Sequence, residues 1–465
     1  MPMLRLDDMA RATGGTLVRG DGSTAVGSFA IDSRRLEPGG MFVALRGSRT
    51  DGHTFLGEAA EHGAAAALVQ YVPGPDEPAP PALLRVPEAV KALGRAGALA
   101  RNQCRATKFL AVTGSSGKTT TKEFIAAGLA EGHRVHRTSG NFNNHLGVPL
   151  TLLACPDDAE MAVIEMGMSA PLEIAALAEM ARPDVGLVTN VSAAHLENFR
   201  SIDDIAAAKG ELFAMLGDDG VSVVNLDDDQ VRVQAQRHKG KQVTFGSASH
   251  ADVRLEEIED RFLPGAALTF RHDGKRQRLE LAIGGAHAAR NALAALATVV
   301  AAGADVEQAM QGMAKVEASA GRGKTQKLDQ GMLLIDDSYN SNPAAMASVI
   351  GTLASTPVEG RRILVMGDML ELGPESPAMH REVGKAAAQA GLDVLFAVGK
   401  LSLLAAETAR RAGVPQVHHQ PDARDAASDL PECVRPGDAI LVKGSRSMKL
   451  EMVVKALQRA YGGAA

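Results

Sequence analysis

The chain has 465 residues, 45% hydrophobic and 22% charged, with a formal net charge of −6, as expected of a globular protein of about two to four domains with no electrostatic footing for nucleic acid. Its three cysteines, Cys104, Cys155 and Cys433, are far apart and odd in number, which excludes a disulfide framework and fits a reducing compartment. With no tryptophan and 3% aromatics, base-stacking surfaces are not expected either.

The N-terminal stretch MPMLRLDDMARATGG has no uninterrupted apolar core of a signal peptide. Residues 1–107 carry short strand signals, GSFAIDS and MFVALRG, between Gly-rich turns. They close with a Pro-rich loop, VPGPDEPAPPALL, and a helical pattern, EAVKALGRAGALARNQ. Over residues 108–318 apolar runs of strand length (FLAVTG, MAVIEMG, VGLVTN) alternate with helical patterns, which predicts parallel strands with helical crossovers. QVTFG and ALTFRHDGKRQRLEL predict an antiparallel extension, with HDGK as a hairpin turn. From residue 319 to 465 the pattern restarts with MLLIDDSY, RRILVMGD, DVLFAVG and DAILVKG as strands, a third α/β unit. No apolar run approaches the roughly 20 residues of a bilayer span, and a cytoplasmic protein is expected.

The stretch FLAVTGSSGKTTTKEF, residues 109–124, is nearly a phosphate-binding loop. The common pattern, G-x-x-x-x-G-K-[ST], requires glycine at 112, where Val112 stands; the nearest glycine is Gly114. The context is nevertheless that of such a loop. FLAV is an apolar strand, TGSSG breaks it, and KTTTKEFIAAGLAEG reads as a helix with Gly132 as its C-cap. A helix N-terminus offers free N–H groups and a positive dipole end to an anion. Lys118 adds a charge for terminal phosphates and Thr119 a hydroxyl for Mg2+.

Glu165 ends the strand MAVIEMG, at the edge where open α/β sheets bind ligands. It is either a solvated strand-end acid or a ligand for the Mg2+ that bridges nucleotide phosphates. VGLVTNVSAAHLENF delivers Asn190 and His195 beyond the same edge, and His195 reads equally as a structural residue or a ligand. In SIDDIAAAKGELFAML, Ser201 and Asp204 form a capping pair, and Ile205, Leu212 and Leu216 lie on one helix face. Lys209 falls in that apolar stripe. Either it snorkels to water, or desolvation lowers its pKa and suits it to covalent chemistry.

These segments together resemble the Mur ligase family, ATP-dependent amide ligases of cell-wall precursor synthesis, over essentially the whole chain. The family's loop is the shortened G-x-x-G-K-T, which Gly114, Ser115, Ser116, Gly117, Lys118 and Thr119 match, with Thr120 following. NFNNHLGVP, opening on Asn141, resembles the segment after the family's first crossover. The resemblance implies Mg2+ on Thr119 and Glu165, a second metal ligand at His195, and a carbamate on Lys209. GGAHAARNALAALA is similar to the family's G-x-H-N-x-x-N adenine segment: His287 and Asn291 keep its spacing, while Ala288 replaces the first Asn. Arg322 in GRGK, and Asp337, Tyr339 and Asn340 in IDDSYNSNP, resemble the nucleotide-contacting segments that open the third domain, with Asn342 close by.

The N-terminus lacks the G-x-G-x-x-G of the family's earlier-acting types. IDSRRLEPGGMFVALRGSRTDGHTF instead resembles the UDP-sugar domain of the later-acting types, with Ser33, Arg34, Gly47, Asp51, Gly52 and His53 as implied contacts. The D-N-P-R motif of the diamino-acid-adding type is missing from the sequence. MGDMLELG and LVKGSRSMKLE, with Lys443, Ser445 and Arg446, resemble the last-acting type, which adds D-alanyl-D-alanine. The resemblance thus implies an α/β protein of three domains: a small UDP-sugar domain (1–107), an ATPase-like parallel sheet with an antiparallel extension (108–318), and a Rossmann-like domain (319–465). It implies ATP and Mg2+ as cofactors, UDP-muramyl tripeptide and D-alanyl-D-alanine as substrates, and a monomer. A folate polyglutamate ligase shares the central fold, against which the DSRR segment argues. A nucleotide-gated binding protein would need no acceptor amine.

Overall fold

In the computed structural model the structure describes residues 3–48, 50–193 and 197–462. It contains three α/β units and a short ribbon pairing Leu4–Arg5 with Ala25–Val26. The first unit is a five-stranded sheet in the order Thr16–Arg19, Ala82–Arg85, Ala66–Val69, Met41–Val43, Phe29–Ala30, parallel except at the first pair. The helix Ala89–Gln103 docks this unit on the second by packing against the helix Gly147–Leu153. Contact is close because Gly97 carries no side chain: a Cβ there would lie 2.8 Å from Pro149 Cα.

The second unit is a nine-stranded sheet whose core strands run Val221–Asn225, Val185–Val188, Lys108–Thr113, Met161–Glu165, all parallel. Each is apolar along most of its length because helices cover both faces. Lys118–Ala130, Ala286–Ala302 and Val306–Ala314 lie over one face, and Gly147–Leu153, Glu173–Ala181 and Ile202–Lys209 over the other. The antiparallel extension is Val253–Glu259, Ala267–His272 and Lys275–Glu280. Its HDGK turn has left-handed Asp273 (φ 48°) and Gly274 (φ 72°), the geometry that suits a two-residue hairpin. The third unit is a six-stranded sheet in the order Lys324–Lys327, Leu333–Asp337, Ala439–Lys443, Arg362–Gly367, Val394–Val398, Gln416–Gln420, parallel after its first pair. No described helix is long and apolar enough to cross a membrane.

Four local expectations are corrected. QVTFG belongs to the parallel part of the sheet, since Lys241–Gly246 pairs parallel with Val221–Asn225; that second strand, VSVVN, was not singled out in the sequence. The loop helix ends at Ala130 with Glu131 as its cap, and Gly132 is not left-handed. The segment after Ser201 is two helices, Ile202–Lys209 and Glu211–Ala214, divided at Gly210. A Cβ at Gly210 would meet Gln234 Oε1 at 2.6 Å, so the break falls where a neighbouring helix leaves no room for a side chain. The end of the expected Pro-rich loop is the strand Ala82–Arg85.

Candidate functional site

The buried strand Lys108–Thr113 delivers the phosphate-loop segment to the carboxyl edge of the sheet, between the ends of its two neighbours. Gly114 (φ 151°) and Gly117 (φ 79°) are conformations that side chains rarely adopt. A Cβ at Gly114 would lie 1.9 Å from Thr189 Oγ1, and one at Gly117 2.2 Å from Asn291 Oδ1. The loop is pinned from the side. Ser115 N–H donates to Asn190 O (2.9 Å), Ser116 N–H to Asn190 Oδ1 (3.1 Å), and Thr189 Oγ1–H to Ser116 O (2.7 Å). Lys118 Nζ donates to Gly114 O at 2.7 Å. Burial lowers the Lys118 pKa, Glu165 opposes that, and Arg322 adds to it.

Glu165, on the adjacent strand end, is 1% exposed. Its Oε1 accepts from Thr119 Oγ1 (3.1 Å) and Asn143 Nδ2 (2.8 Å). Its Oε2 is buried, lies 3.8 Å from Lys122 Nζ and has no hydrogen-bond partner among the described residues. An orphaned carboxylate oxygen beside a threonine hydroxyl at the head of the loop helix is a donor set that fits Mg2+. Among the described residues no three His, Cys, Asp or Glu side chains stand together, so a cation here would draw its other ligands from phosphate or water.

The third unit supplies the facing wall. A cleft of about 800 Å3 is lined by the loop from Ser115 to Thr120, by Asn141 and Glu165, and across the gap by Arg322, Asp337, Tyr339 and Lys443. His287, Asn291, Asn340 and Asn342 also reach it. The Arg322 guanidinium lies 3.9 Å from the Tyr339 ring centroid and that of Arg446 5.5 Å, so the ring has two cations over it at cation–π distance. Lys443 Nζ pairs with Asp337 Oδ2 at 2.5 Å and donates to Asn340 O at 3.0 Å. Asn342 caps the helix Pro343–Ser355 through Ala345 N–H. Ser445 stands behind the wall, where its Oγ accepts from Leu370 N–H (2.8 Å). Ala288 is wholly buried in the apolar core and offers the cleft nothing polar.

Lys209, the last residue of its helix, is 2% exposed and has no hydrogen-bond partner among the described residues. Burial drives its pKa well below the ordinary lysine value, and Lys118 pushes the same way. Ser201 Oγ caps the helix by accepting from Asp204 N–H (3.1 Å). His195 lies outside the described residues.

Ser33, Arg34, Gly47, Asp51, Gly52 and His53 do not line the cleft; they gather in the first unit. Asp51 Oδ1 accepts from His53 N–H (3.0 Å) and from its Nδ1 (2.6 Å), and His53 Nε2 accepts from Gln70 N–H (2.9 Å). The ring is thereby fixed with its proton on Nδ1. Ser33 Oγ–H donates to Glu58 (2.9 Å), Arg34 pairs with Asp32 (2.7 Å), and Gly47 N–H donates to Thr50 O (2.9 Å). Gly52 has its N–H on Leu45 O at 2.7 Å.

Three residues of these sites were not singled out in the sequence. Tyr71 stacks on His53 (centroids 4.0 Å apart) and donates to Asp51 Oδ2. Asn143 holds Glu165. Lys122 is fully buried in the loop helix. Its signal was legible: it falls on the stripe of Ile125, Ala126 and Leu129, as Lys209 does on its own.

Fold and cleft together define an α/β phosphate-loop nucleotide-binding protein. The family models described as "Mur ligase family, catalytic domain", "Mur ligase middle domain" and "Mur ligase, glutamate ligase domain" match residues 26–101, 112–299 and 321–446. The UDP-N-acetylmuramoyl-tripeptide–D-alanyl-D-alanine ligases of Bacillus subtilis and Escherichia coli are 38% and 39% identical, each over 93% of this chain and 93% of their own. The chain belongs to the Mur ligase family. Among solved structures, a MurF from Acinetobacter baumannii superposes with a TM-score of 0.88 at 30% identity over 99% of both chains. MurF from Thermotoga maritima in complex with ADP gives 0.80 at 29% identity, over 93% of this chain and 97% of that one. Folylpolyglutamate synthase from Mycobacterium tuberculosis, at 18% identity and a TM-score of 0.62, shares the fold alone.

Proposed function

We propose that this chain is the ATP-dependent, ADP-forming ligase that joins D-alanyl-D-alanine to UDP-N-acetylmuramoyl-tripeptide, completing the peptide of a peptidoglycan precursor. The observation that carries the chemistry is the cleft in which the phosphate loop and Glu165 face Arg322, Asp337, Tyr339 and Lys443 of another unit. The type is supported by relatives of that name matching 93% of the chain. We place the units at 1–107, 108–318 and 319–465, for UDP-sugar, ATP and dipeptide in turn, in a monomer working in the cytoplasm.

A carboxylate is a poor acylating agent because it would have to expel oxide. In this reading its oxygen attacks the γ-phosphorus of ATP, ADP leaves, and an acyl phosphate forms. The dipeptide amine then attacks the acyl carbon, loses a proton, and expels phosphate. The protein mainly positions groups and balances charge. The loop amides from Gly117 to Thr120 and the Lys118 ammonium cradle the phosphates, with Ser115 and Ser116, held by Asn190, shaping the loop around them. Thr119 and Glu165 hold Mg2+, which when bound neutralises phosphate charge. Asn141, on the same wall, contacts the reacting groups. Asn291, Arg322, Asp337 and Tyr339 hold the nucleotide. Asn340, Asn342, Lys443, Ser445 and Arg446 serve the dipeptide end, and the Ser33–His53 cluster holds the UDP-sugar. Lys209, with its amine held neutral, adds CO2 and releases a proton, becoming an anion suited to a second hard cation together with His195. Apposition of the third unit keeps water from the acyl phosphate.

The test is ADP release with UDP-muramyl tripeptide, with and without D-alanyl-D-alanine, and with folate and glutamate in parallel. Release that depends on both the tripeptide and the dipeptide is expected. Release with folate would move the chain to the folate ligases, and release indifferent to the amine would make it a nucleotide switch.

A further inference from the structure

Lys122 is one helical turn beyond Lys118 and has no exposed surface. A methionine or leucine would fill that stripe without desolvating a charge, whereas a buried ammonium costs several kcal/mol unless it is well paired. Its partners are specific. Nζ donates to Thr138 O (2.8 Å) and Gly140 O (3.3 Å), and lies 2.9 Å from Glu123 Oε1 and 3.8 Å from Glu165 Oε2. Thr138 is tied to the same carboxylate strand: its Oγ1 accepts from Glu165 N–H (3.0 Å), and its own N–H donates to Val163 O (3.0 Å). The chain that follows carries Asn141 to the cleft wall and Asn143 to Glu165 Oε1.

We propose that Lys122 is a positioning residue, a buried ammonium that ties the root of the Asn141–Asn144 segment and the Glu165 carboxylate to the phosphate-loop helix, so that the nucleotide's divalent cation meets a pre-set site. The proposal rests on the reading that Glu165 takes that cation. Two alternatives, tether and counter-charge, differ in sign. At 3.8 Å from Oε2 the ammonium repels any cation that arrives there. If Lys122 were only a counter-charge, removing it would tighten cation binding. As a tether its loss lets Glu165 and Asn143 wander and weakens binding. Charge around it is already balanced, because Arg137 Nε lies 2.9 Å from Glu123 Oε2, leaving Lys122 and Glu165 as the inner pair.

The experiment measures Mn2+ binding by electron paramagnetic resonance in the presence of a non-hydrolysable ATP analogue. Lys122→Met should weaken Mn2+ roughly tenfold, the scale of losing a group that orients a metal ligand, with affinity for the metal-free analogue unchanged. Lys122→Gln, whose amide still donates toward Thr138 O, should recover most of the loss. Unchanged or tighter Mn2+ binding by folded Lys122→Met overturns the proposal. If Lys122→Met does not fold, Thr138→Val decides, because it keeps the ammonium and cuts only the hydroxyl link to Glu165 N–H: weaker Mn2+ binding supports the tether, and unchanged or tighter binding overturns it. If Glu165→Gln binds Mn2+ like wild type, it is the metal reading of Glu165 that fails.

Discussion

Lys209 and Lys122 both sit on apolar helix stripes, and their surroundings send them to different ends. Lys122 is surrounded by carbonyls and carboxylates, so it stays paired in place. Lys209 has burial and Lys118 against its ammonium, which favours the neutral amine that can take up CO2. Lys209→Ala should therefore lose most ligase activity, and short-chain carboxylates should restore part of it by filling the vacated space. Lys209→Arg should not respond, since arginine keeps its charge and occupies the site. Full activity of Lys209→Ala in CO2-depleted buffer would leave no role for a carbamate. His380 is a different kind of buried titratable group. It accepts from Met369 N–H at Nε2 (3.0 Å) and donates from Nδ1 to Ser376 O (2.7 Å), an arrangement only the neutral ring can make. Burial holds its pKa below the usual 6.5. Above that pH the ring is neutral both folded and unfolded, and stability is full. As pH falls below it, only the unfolded chain takes the proton, and this group removes up to about 1.4 kcal/mol per pH unit until the folded-state pKa is passed. Thermal unfolding should thus show a lower Tm at pH 5.5 than at pH 7.5, with a flatter dependence in His380→Gln.

At the scale of elements, the strand–loop–helix from Lys108 to Ala130 works because its loop has no room for side chains at either glycine. Gly117→Ala would place a methyl against Asn291 Oδ1 and force a left-handed alanine, at about 1–2 kcal/mol of backbone strain. The strain falls at the phosphate site, and Asn291 is the side chain that must move. The protein should fold, while KM for ATP rises roughly tenfold, the equivalent of 1.4 kcal/mol. Steady-state kinetics at saturating tripeptide and dipeptide, with circular dichroism as control, measures both. An unchanged KM would mean that the nucleotide does not rest on this loop.

Across the whole molecule, the middle unit reaches into the third through its antiparallel extension. Phe262, beyond the strand Val253–Glu259, is fully buried among Ile335, Met346, Val349, Ile350 and Leu353 of the third unit. Beside it, Asp260 accepts from Thr352 Oγ1 (3.1 Å) and Ala286 N–H (2.8 Å). Phe262→Ala should cost about 3–5 kcal/mol as a large-to-small core change, lowering Tm. Because the two walls of the cleft are then less firmly held, kcat should fall as well. The first unit offers a complementary test. Arg34 is exposed and, among the described residues, pairs with Asp32, so Arg34→Ala should leave stability nearly untouched. KM for the UDP-sugar substrate should rise while KM for ATP does not. An equal rise for both would contradict separate sites.

Features set by a few neighbouring residues could be read without the fold. The strand–loop–helix around Gly114–Thr119, the HDGK turn and the Ser201 cap depend on backbone sterics and hydrogen bonds within a few positions. So does the alternation of apolar runs that predicts parallel sheets. The stripe that marked Lys209 was legible for the same reason, and the matching stripe under Lys122 was as plain. What the tertiary structure alone decided involves partners far apart in the chain. It settled that VSVVN and QVTFG join the parallel sheet, that Gln234 crowds Gly210 and coincides with a helix break, and that Lys443 meets Asp337 across 106 positions. It also decided how the two chemically alike oxygens of Glu165 differ: among the described residues Thr119 and Asn143 hydrogen-bond to Oε1, while Oε2 has no hydrogen-bond donor and faces Lys122 at 3.8 Å.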